Sequence, residues 1–256
     1  MSTETLRRRS LRSNNVAIRL VYEDRSYVRD PGDTLESDLG ILDVPSDVAP
    51  GDVIETHLGH VFEVRDLRLP DCFEHFDRSG APMLPRDVGM IIGLTGVRGG
   101  DRILDIGTGT GILAAGMGFA GADVVTYERD ASAAETARKN VALVDLEDQI
   151  DVRTGDGGTA VIEGDLESFD VITLDTGDAP EIASHAGDVL VPGGYLAAYS
   201  PFIEQTRGIV EAAREELEDV RAFDTIQRQL DVDERGTRPT TMPVGHTGYL
   251  TIARRP

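Results

Sequence analysis

Three glycines stand at alternate positions in Gly107-Thr108-Gly109-Thr110-Gly111, directly behind the apolar run that holds Asp105. Without a Cβ, such a loop lets a ligand approach the backbone, and a helix starting there offers free N–H groups. An acid about 20 residues further on can grip ribose hydroxyls. Glu128 stands 21 residues past Gly107. Two further acids follow apolar runs: Asp156 in Arg-Thr-Gly-Asp-Gly-Gly, and Asp175 at the end of Phe-Asp-Val-Ile-Thr-Leu-Asp. Each is also readable more blandly, Asp156 as a turn residue and Asp175 as a strand-end cap.

The loop separates two ligand classes that share an adenosine ribose, dinucleotides and S-adenosylmethionine. A G-x-G-x-x-G pattern begun at Gly107 puts Ile112 in the third glycine's place. Begun at Gly109, it puts Ala114 there and sets the first glycine too far past the strand. Asp105, just before the loop, would repel a pyrophosphate, whereas a carboxylate suits an amino group and a sulfonium cation.

These residues need a scaffold that gathers strand ends. The pattern predicts a short helix over 88–97, strand 102–106, helix 111–120, strand 123–128 and helix 131–144. Strands 149–156 and 169–175, a short helix near 180–190 and strand 193–200 follow. The amphipathic helix 204–220 precedes two further strands, 222–232 and 246–255. Alternation of strand and helix implies an α/β fold with a parallel sheet wound by right-handed crossovers. The last two strands, with no helix between them, imply an antiparallel hairpin at its edge. Before this unit, residues 15–70 read as short strands with turn signals, a small β domain. Residues 1–14 are polar, arginine-rich and expected to be flexible, and 71–84 form a connector into the larger domain, 71–256.

Composition narrows the setting. No run of about 18 apolar residues is present, so no membrane span is expected. The N-terminus lacks the apolar stretch of a secretory signal. Cys72 is the only cysteine, which excludes an internal disulfide framework and a cysteine-built zinc site, and fits the cytoplasm. His57, His60 and His75 lack metal spacing, and no metal is expected. The net charge is −21, from 46 acidic and 25 basic residues, with Lys139 the sole lysine. The acids are spread along the chain. That pattern reads as adaptation to concentrated salt, where the Debye length falls to about 3 Å at 1 M and self-repulsion is screened.

Asp-Ile-Gly-Thr-Gly-Thr-Gly resembles the first motif of class I S-adenosylmethionine-dependent methyltransferases. The resemblance implies that Asp105, Gly107, Gly109, Thr110 and Gly111 bind the cofactor, with Thr110 at the methionine carboxylate. It puts Glu128 at the ribose and Asp156 at the adenine amino group. Gly-Ala-Pro-Met-Leu-Pro-Arg-Asp before the first sheet strand and Gly-His-Thr-Gly-Tyr-Leu near residue 250 narrow it. Behind a small β module, this pair resembles the tRNA (adenine-N1)-methyltransferase family that acts on the T-loop, in an archaeal, salt-adapted form. The likeness spans about residues 15–256. It implies Asp175 as the catalytic carboxylate, Asp178 as a second acid, and methylation of adenine 58, with 57 as a second target. It also implies tRNA as partner and a homotetramer. Arg7, Arg8, Arg9, Arg12, Arg235, Arg238, Arg254 and Arg255 are the cations expected to meet phosphate. The family's tryptophan after the catalytic aspartate is absent, and Tyr199 is the suggested substitute. His246 reads as structural. A protein isoaspartyl methyltransferase, a non-catalytic tRNA-binding subunit and a small-molecule methyltransferase are the alternatives. The intact glycine motif argues against the second, and the leading β module against the other two.

Overall fold

A computed structural model describes residues 16–164, 166, 168–241 and 244–256. Arg7, Arg8, Arg9 and Arg12 lie outside them. The leading module consists of β1 (Ile18–Tyr22), β2 (Arg25–Arg29), β3 (Thr34–Ser37), β4 (Gly40–Asp43), β5 (Val53–Glu55) and β6 (Val61–Asp66). An antiparallel sheet runs in the order β2-β1-β6-β5, and β3 pairs with β4. Alternation along β1 and β6 turns Ile18, Leu20, Phe62 and Val64 inward, where Leu35 and Leu42 of the β3–β4 hairpin complete the core.

The stretch read as a connector holds most of a helix, α1 (Leu69–His75). Pro70 lies in its first turn, and the Asp71 carboxylate accepts the Arg68 backbone N–H at 2.8 Å. Seven residues are too few for periodicity to reveal it. Helix α2 (Pro85–Thr95) starts on Pro85 and ends at Gly96, which is left-handed at φ 71°.

From there strands and helices alternate: β7 (Arg102–Ile106), α3 (Ile112–Phe119), β8 (Asp123–Glu128), α4 (Ala131–Leu143), β9 (Ile150–Thr154), α5 (Gly157–Ile162) and β10 (Phe169–Leu174). Next come α6 (Ala179–Ala183), α7 (Ala186–Val189), β11 (Leu190–Ser200), α8 (Ile203–Ala213) and β12 (Glu218–Asp224). A ribbon of β13 (Leu230–Asp233) and β14 (Gly236–Pro239) precedes β15 (Tyr249–Arg254). The seven-stranded sheet has the order β12-β15-β11-β10-β7-β8-β9, and β15 runs antiparallel to both of its neighbours. The expected parallel sheet with its antiparallel terminal pair is therefore present.

Apolar layers cover both faces. Ile103, Val171 and Ile252 point to one side, with Val88, Met117 and Val141. Leu104, Ile172 and Ala253 point to the other, with Ile182, Leu190 and Ile209. Further details differ from the sequence expectation. Helix α5 was not anticipated, because Gly157-Gly158 opens it and it is one and a half turns long. Helix α8 stops at Ala213, since residues from Glu218 pair with β15, Arg221 facing Ile252 and Phe223 facing Leu250. The strand expected over 222–232 is divided between that pairing and the β13–β14 ribbon.

Candidate active site

The carboxyl ends of β7, β8, β9 and β10 surround an open cavity lined by Gly107, Gly109, Glu128, Arg129, Gly155 and Asp175, among others. At Gly107 its floor has no room for a side chain. Gly107 has φ +100°, and a methyl group there would overlap the Asp175 carbonyl oxygen. That crowding follows from β7 and β10 lying side by side, with the Asp175 N–H donating to the Ile106 carbonyl at 2.8 Å.

Asp105 sits behind the loop and is 1% exposed. Register sets it between Thr126 on β8 and Thr173 on β10. Thr173 donates to Oδ1 at 2.5 Å and Thr126 to Oδ2 at 2.7 Å. Because the Thr126 proton is used there, Thr108 donates to Thr126 Oγ1, 2.6 Å away. Burial pushes the Asp105 carboxyl up to about 6, against the pull of the two threonine hydrogen bonds and aided by Glu128. Both oxygens are occupied, so Asp105 acts on the cavity through its charge and by bracing the glycine loop.

Glu128 reaches the cavity itself. Its Oε2 accepts the Gly109 N–H at 3.0 Å and its Oε1 the Asp130 N–H at 3.1 Å, which ties the loop to the end of β8. Gly111 lies off the cavity, at φ +79° before α3, where an added methyl group would stand 3.6 Å from the Ala137 methyl of α4. Thr110 also faces away from the main cavity, into a narrow crevice with Phe76, Arg78 and Pro82. Its hydroxyl is buried and has no hydrogen-bond partner among the described residues. The Asn140 amide holds that corner by donating to the carbonyls of Asp77 and Thr110, each at 2.9 Å.

Asp156 caps α5, accepting the Thr159 N–H at 3.2 Å. It shares Arg129 with Asp178: Arg129 Nε lies 3.4 Å from Asp156 Oδ2, and Arg129 Nη2 donates to Asp178 Oδ2. Burial opposes ionisation of Asp178, yet hydrogen bonds from Arg129 and Thr176 hold its carboxyl below the usual range. Arg129 thus straps the end of β9 to the loop after β10. Sequence reading passed over Arg129 and Arg78, although Arg129 directly follows the acid at a strand end, where side chains face a ligand.

Asp175 opens onto the cavity and is reached by solvent there. The concave surroundings still withdraw part of its hydration. This desolvation, with the charges of Asp105 and Glu128, pushes its carboxyl up to about 7. Tyr199 lies level with it across the β10–β11 register. Its ring fills the space a side chain on Gly248 would need, and its hydroxyl bonds Thr247. The two motifs that lie 160 residues apart meet here. Arg86 donates to the carbonyls of Val244 and Gly245 at 3.1 and 3.3 Å and to Thr247 Oγ1 at 2.8 Å. Thr247 in turn donates to Asp87 at 2.9 Å, across that span of 160 residues. His246 bridges Asp224 and the Pro201 carbonyl, at 3.3 and 3.4 Å. Arg254 and Arg255 bond the carbonyls of Gly193 and Leu190, at the opposite end of β11 from Asp175.

The strand order, with β15 reversed, and a glycine loop followed by an acid at the next strand end define a class I S-adenosylmethionine-dependent methyltransferase. The residues fit that cofactor: a floor that Gly107 leaves bare, and carboxylates at 105, 128 and 175 suited to a sulfonium. Residues 82–237 match the family described as tRNA methyltransferase complex GCD14 subunit. The chain is 32% identical over 248 residues to the tRNA (adenine(57)-N(1)/adenine(58)-N(1))-methyltransferase TrmI of Methanocaldococcus jannaschii, covering 86% of this chain and 87% of that one. Two solved structures share the fold. A SAM-dependent O-methyltransferase from Thermotoga maritima has a TM-score of 0.79 at 24% identity, covering 95% of this chain and 94% of that one. The tRNA (m1A58) methyltransferase TrmI of Aquifex aeolicus has 0.72 at 20% identity, covering 94% and 97%. The chain belongs to the GCD14 family of tRNA methyltransferases.

Proposed function

We propose that this S-adenosylmethionine-dependent tRNA methyltransferase methylates N1 of adenine in the T-loop, at position 58 with 57 as a second target, and that Asp175 is its catalytic residue. The observation that carries the reading is the position of Asp175. It is an ionisable group at the mouth of the cavity, level with Tyr199 and directly beside Gly107 of the cofactor loop. S-adenosylmethionine supplies an electrophilic methyl group on a sulfonium. Adenine N1 carries a lone pair and needs no strong base. Asp175 has two tasks. It accepts a hydrogen bond from the exocyclic N6 amine, which orients the ring. It also offsets the positive charge that grows on adenine as the N1–C bond forms. A carboxylate raised to about 7 in the ligand-free site is drawn back to its ionised form by a cation beside it.

On the cofactor side, Glu128 takes the ribose hydroxyls and Asp156 the adenine amino group. Thr110 takes the methionine carboxylate, with Gly107, Gly109 and Gly111 shaping the loop and Asp105 bracing it. The alternative of a protein isoaspartyl methyltransferase leaves the leading β module and the Arg86–Thr247 clasp without a role.

The wider reading is a cytoplasmic, salt-adapted homotetramer. It is supported by the spread of acidic residues, by a single buried thiol at Cys72, and by Leu230 and Val232, exposed on the β13–β14 ribbon. No helix among the described residues is long and apolar enough to cross a membrane.

The test incubates the protein with labelled cofactor and an unmodified tRNA transcript in strong salt, then maps the labelled nucleoside. The expected product is 1-methyladenosine in the T-loop. Label found in another nucleoside, or only in protein, overturns the assignment.

A further inference from the structure

We infer that Phe202, with Ile203 beside it, is a stacking platform for an unpaired nucleobase of the RNA substrate at the mouth of the active site. The inference rests on the function proposed above and adds a binding surface to it.

Leu174 pairs with Ala198 across β10 and β11, so Phe202 follows three residues beyond the level of Asp175, at the same carboxyl end of the sheet. Its backbone is held from several directions. The Thr206 hydroxyl donates to the Phe202 carbonyl at 3.0 Å, and His246 meets the Pro201 carbonyl at 3.4 Å. Gln205, in the first turn of α8, donates to the carbonyls of Thr176 and Gly177 at 2.7 and 3.3 Å. That turn is therefore pinned to the loop that follows Asp175. The side chains are not covered: Phe202 is 66% exposed and Ile203 53%.

A rigid backbone thus presents a flat apolar ring to water beside the opening through which an acceptor base must enter. Aromatic rings accept any base by stacking, and a base taken from a folded RNA leaves unstacked neighbours that need such a surface. Tyr199 cannot serve in the same way, since its ring packs on Gly248 and its hydroxyl is engaged by Thr247. Charge favours the same occupant class of contact. At a net charge of −21 the phosphate backbone is repelled overall, and salt weakens what attraction remains, whereas stacking survives both.

The chain contains no tryptophan, so F202W carries a single tryptophan at the platform, which can be excited apart from the six tyrosines. Unmodified tRNA transcript is expected to quench its emission, and cofactor alone to leave it unchanged. F202A is expected to raise KM for tRNA by about tenfold, the loss of one stacked base, with cofactor affinity unchanged. F202Y is expected to restore it. Absence of quenching by tRNA that is retained on a filter with the protein overturns the platform. So does a wild-type KM in F202A, or a change in sedimentation as that variant's only effect, which would mark a contact between copies. Normal methylation by wild type with an indifferent F202A removes the platform alone. Wild type that methylates no tRNA removes the proposed function and the platform together.

Discussion

The two sides of the cavity are built on different terms. On the side of β7 and β8, polar groups are already occupied: buried Asp105 by two threonines, half-buried Glu128 by two backbone N–H groups, with Gly107 in the loop where no side chain fits. On the side of β10 and β11, Asp175 meets solvent and Phe202 stands uncovered, while the loops beneath them are fixed by Gln205 and by the Arg86–Thr247 clasp. A small ligand of constant shape can be met by a wall finished in advance. On the function proposed above, an acceptor embedded in a macromolecule brings part of the enclosure with it, which accords with a side held rigid but left open.

Substitutions can break that division or sharpen it. The largest effect is expected from Asp175→Ala. Methyl transfer to tRNA falls by about 10²- to 10³-fold, the scale of losing one electrostatic stabiliser of a transition state, while calorimetry finds cofactor affinity nearly unchanged. An equal loss of both would move Asp175 to the cofactor wall. Gly107→Ala forces a Cβ onto the Asp175 carbonyl at φ +100°, at a cost of about 1–3 kcal/mol in backbone strain alone. A lower melting temperature and lost cofactor binding are expected together. Glu128→Ala removes charge-assisted hydrogen bonds worth about 1.5–3 kcal/mol, so cofactor affinity falls by about 10- to 100-fold in calorimetry. Transfer at saturating cofactor then remains largely intact, the reverse of Asp175→Ala.

Acidity probes the same wall. The ligand-free protein holds protons on Asp105 and Asp175 up to about pH 6 and 7, well above the ordinary aspartate value of 3.8. The native state therefore binds more protons than the unfolded chain, and stability falls as pH climbs from about 4 through 7. A cationic ligand prefers the ionised carboxylates, so its affinity rises over the upper part of that range. Thermal denaturation with and without cofactor, across pH, checks both signs. The smallest effect belongs to Arg129→Ala. Its ion pairs with Asp156 and Asp178 are about half exposed, and such pairs contribute about 0–1 kcal/mol. A few-fold change in cofactor affinity is expected, fading in strong salt.

Much of this was readable from residue order. The glycine loop, Glu128 and Asp175 each end an apolar run, and the alternation of elements led to the sheet. The direction of Asp105 was not readable. β7 is buried on both faces, so Arg-Ile-Leu-Asp-Ile has no polar alternation to reveal which way the carboxylate turns. Thr126 and Thr173, its partners, look like ordinary strand formers until register brings them alongside. The ends of α8 and β12 were misjudged because helical periodicity continues through 214–220, and only pairing with β15 overrides it. Arg129 went unnoticed because its partners, Asp156 and Asp178, lie 27 and 49 residues away.

The reversed strand β15 fixes a schedule as well as a shape. Its residues, 249–254, join β12 to β11, yet β12 leaves the ribosome some 25 residues earlier. Until β15 is made, β12 has no neighbour in the sheet, β11 presents an open edge, and Arg86 waits for the carbonyls of Val244 and Gly245. A nascent chain stalled in that interval exposes unpaired strand edges, the form in which chains are most prone to adhere to one another. The same insertion that joins β12 to β11 leaves the growing chain most hazardous in the interval just before β15 is made.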